Sequence, residues 1–469
     1  MIIRKKIYGA LFIAAVASSL FSCVTPRYKT PDNIIAQSVY RNGSSDTTTI
    51  AAIDWDVFYG DKYLRSLISE ALDSNISLHL SISRIEQAKQ YLYQSRAAFA
   101  PSFNASAQAI YTDPSSTGAS QVAEGVKTPI SDYTLSVSAS WEIDIWGKIS
   151  SSKRASYANL LATEAAKDAV VTDLVANIAT AYYQLVVMDS KLAVTQKTIS
   201  LYQDYLDKVS IMKEQGQTNE VAVLQAKAQL YGAKGYLPQV KSGITIMENY
   251  ISLLLGKSCT PIERCNSLEL NSINYSIDTG VPTALLQYRP DVRAAEFAMR
   301  SAHESFNVAK ASMYPALTLT GQVGYESLAA DTWFKPESLF WNAVGGLTAP
   351  IFNARALRTQ KKVAELQKND SYLQFKLSLL NAMMEVSNSI LSLDSATEKA
   401  EYDKLQYEAI STAFDYSMDL FERGYATYLD VLTAQNGLFT TELSLYDSYL
   451  DVATQRIELY RALGGGWIR

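Results

Sequence analysis

Four stretches of the chain alternate hydrophobic and polar residues with a period of two. They lie at about 102–113, 131–142, 316–326 and 338–349. In the first stretch, the apolar positions Phe103, Ala105, Ala107, Ala109 and Tyr111 alternate with the polar positions Ser102, Asn104, Ser106 and Gln108. This period is typical of β-strands, and each stretch has about the 9–11 residues that a tilted strand needs to cross a bilayer. The pattern therefore predicts two pairs of strands, which either cross a membrane or form soluble hairpins.

Two much longer stretches follow a helical pattern. They run from Lys148 to about Gln215 and from Ala354 to about Arg423, and neither contains proline. In the first, apolar spacings alternate between four and three at Leu174, Ile178, Ala181, Leu185, Met188, Leu192, Thr195, Ile199, Tyr202, Leu206 and Val209. That spacing forms a coiled-coil seam. The pattern predicts two helices of about 100 Å each, at 1.5 Å per residue, that pack lengthwise in a hollow or bundled assembly.

Comparison of the chain with itself reveals a duplication. The segment ending at Pro101 aligns with the segment ending at Pro315, and residues 216–226 align with 424–434. The offset of about 210 residues predicts a repeated unit of about 200 residues. Gly216 and Gly424 each follow a long helical stretch, so each is predicted to turn a helical hairpin with a left-handed backbone.

The N-terminus has the pattern of an export signal. Three basic residues at 4–6 precede an apolar run at 7–20, which is short for a membrane span. The run leads into residues 20–23, Leu-Phe-Ser-Cys, which resemble the lipobox of bacterial lipoproteins. We predict a signal peptide at 1–22 and a covalent lipid on Cys23, with an ordinary signal peptide and a chance cysteine as the alternative. No further apolar run of spanning length is expected, so the mature chain is predicted to have no transmembrane helix.

Composition and charge narrow the function. The formal net charge is −5 and the pI is about 5.4, so the chain has no basic field to attract nucleic acid. The two histidines leave little for general-base or metal chemistry. No catalytic residue, no metal site and no nucleic-acid partner are predicted, and the protein is not expected to be an enzyme.

Two cysteines remain after Cys23. Cys259 and Cys265 lie close together in the sequence and would be exported to an oxidising compartment. A local disulfide between them is one prediction, and two thiols are the alternative.

Over nearly the whole mature chain, the sequence resembles the TolC-like outer-membrane efflux proteins, in particular the lipoprotein branch with its OprM-like and NodT-like factors. The most specific segment is 281–296, Val-Pro-Thr-Ala-Leu-Leu-Gln-Tyr-Arg-Pro-Asp-Val-Arg-Ala-Ala-Glu, which looks like the family signature between the two repeats. Residues 55–72 resemble the helical start of the first repeat, and 141–147 resemble the strand-to-helix junction.

The resemblance implies a mainly α fold with membrane β-strands. Each duplicated unit would hold long coiled-coil helices and two strands. Three chains would form a 12-stranded β-barrel continuous with an α-helical periplasmic barrel. The implied division is a signal peptide at 1–22, a lipid-anchored extension at 23–60, repeats at 61–258 and 282–463, an equatorial linker at 259–281 and a tail at 464–469.

The function implied by the resemblance is that of the outer-membrane channel in a tripartite efflux system. It would passively conduct drugs and toxic compounds from a periplasmic adaptor and an inner-membrane RND pump to the exterior. The implied partners are two further copies of the chain, the adaptor, the pump and outer-membrane lipid, and the lipid on Cys23 would be the only cofactor. The alternatives are the duct of a type I protein secretion system and a lipid-anchored coiled-coil interaction protein without a pore.

The same resemblance assigns roles to residues at the hairpin tips. The adaptor-contacting residues would be Gly216, Thr218, Gly424, Ala426 and Thr427, and the periplasmic aperture would be lined by Tyr425, Leu429 and Asp430. Threefold symmetry would gather three Asp430 carboxylates. Thr433 stands where some relatives have a second aspartate, so a single acidic ring is expected. The alternative is a solvated aspartate without a role in the channel.

Overall fold

A computed structural model describes residues 25–29, 49–113, 115, 129–265 and 284–468. The predicted signal peptide, Cys23 and the first three residues of the signature segment lie outside the described residues. The helices are α1 (Trp55–Phe58), α2 (Lys62–Ser74), α3 (Ile76–Ala97), α4 (Lys148–Glu214), α5 (Glu220–Leu254), α6 (Leu285–Tyr288), α7 (Pro290–Ala311), α8 (Ala356–Glu422) and α9 (Tyr428–Leu463). The strands are β1 (Ser102–Thr112), β2 (Ile130–Ile143), β3 (Ala316–Ser327) and β4 (Leu339–Thr348).

The chain packs as two compact units, each built from separated stretches of sequence. The first holds the described residues of 1–31, 85–162 and 296–374, and the second holds those of 32–84, 163–295 and 375–469. Each predicted repeat contributes to both units, so the compact units do not follow the repeat boundaries.

The first unit contains one antiparallel sheet with the strand order β1-β2-β3-β4. All four strands begin and end within two residues of the positions that the period of two predicted. A row of paired residues crosses the whole sheet, from Ala105 through Val137 and Val323 to Trp341. Because directly paired residues share a face, this register places all four apolar sets on one side.

The opposite face of the sheet is mostly polar and internally hydrogen bonded. The Ser106 and Ser136 hydroxyls lie 3.0 Å apart, and the Gln322 amide donates to the Ser136 hydroxyl at 2.9 Å. Within the described part of the chain, β1 and β4 each pair on one side only. The sheet is therefore two-faced and ends in two edge strands.

Helices join the sheet at one end. α3 precedes β1 and α4 follows β2, while α7 precedes β3 and α8 follows β4. Because the strands are antiparallel, all four of these connections fall at the same end. The chain segments that join β1 to β2 and β3 to β4 fall at the other end, which we call the loop end.

The long helices have the predicted length, and one of them is more apolar than the sequence analysis allowed. α4 and α8 each contain 67 residues. α4 includes an 18-residue stretch that is apolar enough to cross a membrane, so the expectation that no such stretch follows the signal was wrong. That stretch is 72% buried inside the protein, because the helix is covered nearly all round between Val171 and Val187. Burial on all sides accounts for the apolar composition of a core helix.

The segment after α5 is tied to the long helices of the second unit. Arg264 pairs with Asp189 on α4 and with Glu248 on α5, the latter at 2.5 Å. The Tyr182 hydroxyl accepts from the Cys265 amide at 3.2 Å and lies 3.3 Å from the Cys265 sulfur, whereas Cys259 is exposed. Both cysteines are thiols, so the predicted disulfide is not formed, and the alternative of two thiols describes the structure.

Candidate functional site

The first hairpin tip joins α4 to α5 through a glycine turn. Gly216 has φ of +71°, and the Gln217 amide returns to the Met212 carbonyl at 2.9 Å, which ends α4 as a left-handed cap. The Asn219 side chain accepts from the Ala222 amide at 3.2 Å and thereby begins α5. Lys213 and Glu220 form an ion pair across the turn. The predicted turn at Gly216 is confirmed.

The second tip joins α8 to α9 in the same way. Gly424 has φ of +79°, and the Tyr425 amide donates to the Leu420 carbonyl at 2.8 Å. A Cβ added to either tip glycine would meet open space, so only the backbone conformation requires glycine there. The turn predicted at Gly424 is also confirmed.

Asp430 closes a capping box at the start of α9. Its carboxylate accepts from the Thr427 hydroxyl at 2.6 Å and from the Thr427 amide at 2.8 Å. These two hydrogen bonds, first from the hydroxyl and then from the amide, hold the pKa of Asp430 below its usual value. The carboxylate therefore stays ionised while it caps the helix. Sequence reasoning missed this role, although a threonine followed three residues later by an acidic residue is a recognised start signal for a helix.

The residues assigned to the tips are accessible in the described structure. Tyr425 is 82% exposed and Leu429 is 55% exposed, and the Asp430 side chain also faces solvent. Thr218 and Ala426 are half-buried, and Thr427 is exposed. These side chains are free to meet a partner surface, and their roles in the aperture and in adaptor contact stay predictions.

One apolar core joins the two tips. The Tyr205 and Tyr428 rings stack at 5.3 Å, the Tyr428 hydroxyl donates to the Ala222 carbonyl at 2.9 Å, and the Tyr205 hydroxyl donates to the Tyr428 carbonyl at 3.2 Å. Val431 and other buried residues of α4, α5 and α9 continue the same core. The two hairpins of one chain are therefore fastened together at their ends. The sequence pattern gave no sign of this contact between residues more than 200 positions apart.

The signature segment supports the C-terminal end of α9. The buried Arg289 pairs with Asp291 and with Glu385, each at 2.7 Å, and donates to the Ala462 carbonyl at 3.0 Å. Gly464, the C-cap of α9, lies against the backbone of Tyr288. This segment therefore acts through packing and charge pairing inside the second unit.

No metal-binding cluster of three or more histidine, cysteine or acidic residues occurs among the described residues.

The two-faced sheet and the long helical hairpins with capped glycine tips define a membrane channel protein with extended helical hairpins. The chain belongs to the outer membrane efflux protein family, whose model matches residues 67–257 and 281–465. The cation efflux system protein CusC of Escherichia coli is 26% identical over 460 residues, which cover 96% of this chain and 97% of the relative. SilC of Salmonella typhimurium, described as a probable outer membrane lipoprotein, is 25% identical over 465 residues, which cover 98% of each chain.

A solved structure of CusC shares the fold. It superposes with a TM-score of 0.84 at 25% identity and covers 94% of this chain and 99% of that chain. Members of the family are outer-membrane efflux channels. The family, the efflux function and the outer-membrane location predicted from the sequence are confirmed by these comparisons.

Substitutions at Asp430 separate its charge from its cap. Asp430→Gln keeps an acceptor for Thr427 but removes the charge, Asp430→Glu keeps both, and Asp430→Ala removes both. If the carboxylates line the aperture, we expect the glutamine and alanine variants to lower the cation-to-anion permeability ratio by about twofold, and the glutamate variant to leave it unchanged. The measurement is ion selectivity of single channels in planar bilayers.

The pH dependence of the wild-type channel gives a second readout. Because the pKa of Asp430 is lowered, its contribution to the cap is present above the pKa of the unfolded chain and is lost as pH falls through the lower folded pKa. Because the same hydrogen bonds favour the ionised carboxylate, cation selectivity should fall only when acid protonates Asp430. Equal selectivity in the glutamine and glutamate variants would show that Asp430 only caps the helix.

Proposed function

We propose that three copies of this chain form a passive outer-membrane duct for small solutes. The observation that carries the proposal is the two-faced, four-stranded sheet with its two edge strands. An open sheet edge exposes unpaired backbone groups that lipid cannot satisfy. Three sheets joined edge to edge, β1 of one copy beside β4 of the next, would close a barrel of twelve strands. The apolar face would then meet lipid, and the polar face with Ser136 and Gln322 would line the lumen.

The helices are proposed to lie on the periplasmic side, since all four sheet-to-helix connections leave the same end of the sheet. Their exposed tips would meet a periplasmic adaptor, which would connect the duct to an inner-membrane RND pump. The polar sheet face carries mostly neutral serine, threonine, asparagine and glutamine, which suits passage of chemically varied solutes. We assign no chemical step and no catalytic residue to the duct.

Cys23 is proposed to carry the lipid anchor. The lipobox-like residues 20–23 support it, and SilC is described as a probable outer membrane lipoprotein. Mass spectrometry of the purified protein would detect the acyl groups on an N-terminal Cys23. An unmodified N-terminal peptide from the mature protein would contradict the anchor.

Dye accumulation in energised cells tests the proposed duct. We expect cells without the protein to accumulate more of a fluorescent hydrophobic dye than wild-type cells, because the pump loses its exit. Plasmid-borne wild-type protein should restore low accumulation. The matched variant Asp430→Glu should restore it equally well, since it keeps both the cap and the charge.

The outcomes distinguish the other candidate functions. Unchanged dye accumulation combined with loss of secreted proteins would replace the proposal with a type I secretion duct. Unchanged accumulation and secretion, in a protein that runs as a monomer in outer-membrane extracts, would support the interaction protein without a pore.

A further inference from the structure

The segment that joins β3 to β4, residues 328–338, folds into a compact structure at the loop end of the sheet. The Lys335 amide donates to the Thr332 carbonyl at 3.1 Å, and the Ser338 hydroxyl donates to the same carbonyl at 2.8 Å. The Ser327 and Thr332 hydroxyls lie 2.6 Å apart, and a short 3₁₀ helix, Pro336–Ser338, leads into β4. These bonds give the segment a defined position relative to the strands.

Four aromatic side chains form what we call the loop aromatic cluster: Tyr133, Tyr325, Trp333 and Phe334. The Trp333 ring lies 5.5 Å from Tyr133 and stacks on Phe334 at 4.8 Å, while Tyr325 and Phe334 are 6.0 Å apart. The Trp333 indole N–H donates to the Tyr325 carbonyl at 3.3 Å. The segment is therefore bound to the ends of β2 and β3 through its aromatic residues.

The cluster lies on the apolar side of the sheet. Tyr325 pairs directly with Leu135, and Tyr133 stands two residues before Leu135 on the same face of β2. Since Trp333 and Phe334 pack on these tyrosines, they continue the apolar face beyond the strand ends. Phe334 is 63% exposed, and Leu328 in the same segment is 60% exposed, so apolar side chains remain uncovered there.

We propose that the loop aromatic cluster inserts into the boundary between headgroups and acyl chains of the membrane leaflet at the loop end of the sheet. This inference rests on the proposed function, in which that leaflet is the outer one. The cluster is continuous with the face that the proposed barrel presents to lipid, and it extends that face beyond the strand ends. Aromatic side chains favour this boundary. The loop then lies against lipid and leaves the mouth of the duct uncovered.

The chemistry of the loop favours lipid over a charged partner. Residues 326–338 carry three carboxylates, on Glu326, Asp331 and Glu337, against the one ammonium of Lys335. Attraction to lipid phosphates therefore does not hold the loop, and apolar burial does. The indole N–H of Trp333 already has an acceptor, so moving the ring out of water leaves no unmet donor.

Fluorescence quenching by brominated lipid tests the position of Trp333. The full-length protein is reconstituted in vesicles of phosphatidylcholine brominated either near the glycerol or near the chain ends. The signal of Trp333 is the difference between wild type and Trp333→Phe, which keeps the aromatic stack. Trp341, which is 77% exposed on the apolar face of β4, gives a matched control through Trp341→Phe.

We expect the Trp333 signal to lose about half of its intensity with bromine near the glycerol, where interfacial side chains reside, and to resist iodide in water. Strong iodide quenching without bromine quenching, while Trp341 is quenched by bromine, would overturn the lipid contact and leave the duct intact. It would indicate a loop in water or against another protein. Absence of bromine quenching at both tryptophans would overturn the proposed barrel as well.

A second tryptophan position and added salt provide two further tests of the lipid contact. Phe334→Trp in the Trp333→Phe background moves the reporter by one residue, and it should show the same quenching by bromine near the glycerol. Added salt should leave the quenching unchanged, because apolar burial holds the loop. Loss of quenching at high salt would contradict the proposed cause.

Discussion

Replacing Arg289 with alanine is expected to destabilise the folded chain by about 3 kcal/mol, the range for removing one partner of a buried ion pair. Arg289 has only 8% of its side chain exposed and serves two carboxylates and the Ala462 carbonyl at once. Its removal would leave Asp291 and Glu385 without the cation that they share. We place the value at the low end of that range because these carboxylates are 45% and 36% exposed. The measurement is the temperature at which the purified protein loses its helical circular dichroism.

A second substitution identifies the cause of that loss. If unpaired carboxylates are responsible, Arg289→Ala combined with Glu385→Gln should recover part of the stability, whereas a packing defect would persist. Burial opposes the ionised form of Asp291, but the hydrogen bonds and charge of Arg289 hold its pKa below the usual value. Asp291 therefore stabilises the wild type above the pKa of the unfolded chain, and this contribution is lost as pH falls through the lowered folded pKa. The difference in stability between the wild type and Arg289→Ala should therefore become smaller over the same acidic pH range.

Gly464→Ala is expected to have an effect of similar size, about 3 kcal/mol, because a strained backbone and an overpacked contact add together. Gly464 has φ of +94°, and a Cβ there would come 2.5 Å from the Tyr288 carbonyl oxygen and 2.9 Å from the Arg289 Cα. Both are backbone atoms, so they cannot move aside as a flexible side chain would. The end of α9 would have to withdraw and weaken the bond from Arg289 to Ala462.

Gly424→Ala is the matched control. Gly424 has a similar φ of +79°, but a Cβ there would meet open space. Only the strain of the left-handed backbone remains, so we expect the free energy of unfolding to fall by about 1 kcal/mol, with the effect confined to the tip. Thermal unfolding of the two variants side by side measures the difference. Equal losses would show that the contact with Tyr288 contributes nothing.

The sheet and the long helices could be predicted because their patterns are local. The period of two persists over whole strands, since one face is apolar from Phe103 on β1 to Leu339 on β4, so even the strand ends were placed closely. The helical seam of α4 was visible for the same reason. The burial of α4 on all sides near Val175 was not predicted. A heptad seam describes one face of a helix, and the other apolar faces of α4 were not considered.

The tertiary contacts that support the site lay beyond sequence analysis. Arg289 meets Glu385 and Ala462, and Tyr205 meets Tyr428, across separations that no local pattern encodes. The disulfide prediction used proximity in sequence alone, whereas Tyr182 engages Cys265 and Cys259 remains in solvent. The capping role of Asp430 could have been predicted from the sequence, because a threonine three residues before an acidic residue is a capping-box pattern. The sequence analysis assigned Asp430 a role through its charge alone.

The two edge strands of the sheet have a consequence for genetics. In the proposed trimer, each copy gives one edge strand to each neighbour, so a chain with one defective edge still joins the trimer through its other edge but opens one seam of the barrel. A variant that folds but cannot pair at β1 or β4 should then be dominant when it is expressed with the wild type. With equal expression and random assembly, only about one eighth of the trimers would be free of defective chains, the cube of one half for three equivalent subunits. Efflux in such cells should fall well below half of normal, in contrast to the simple halving that a monomeric protein would show.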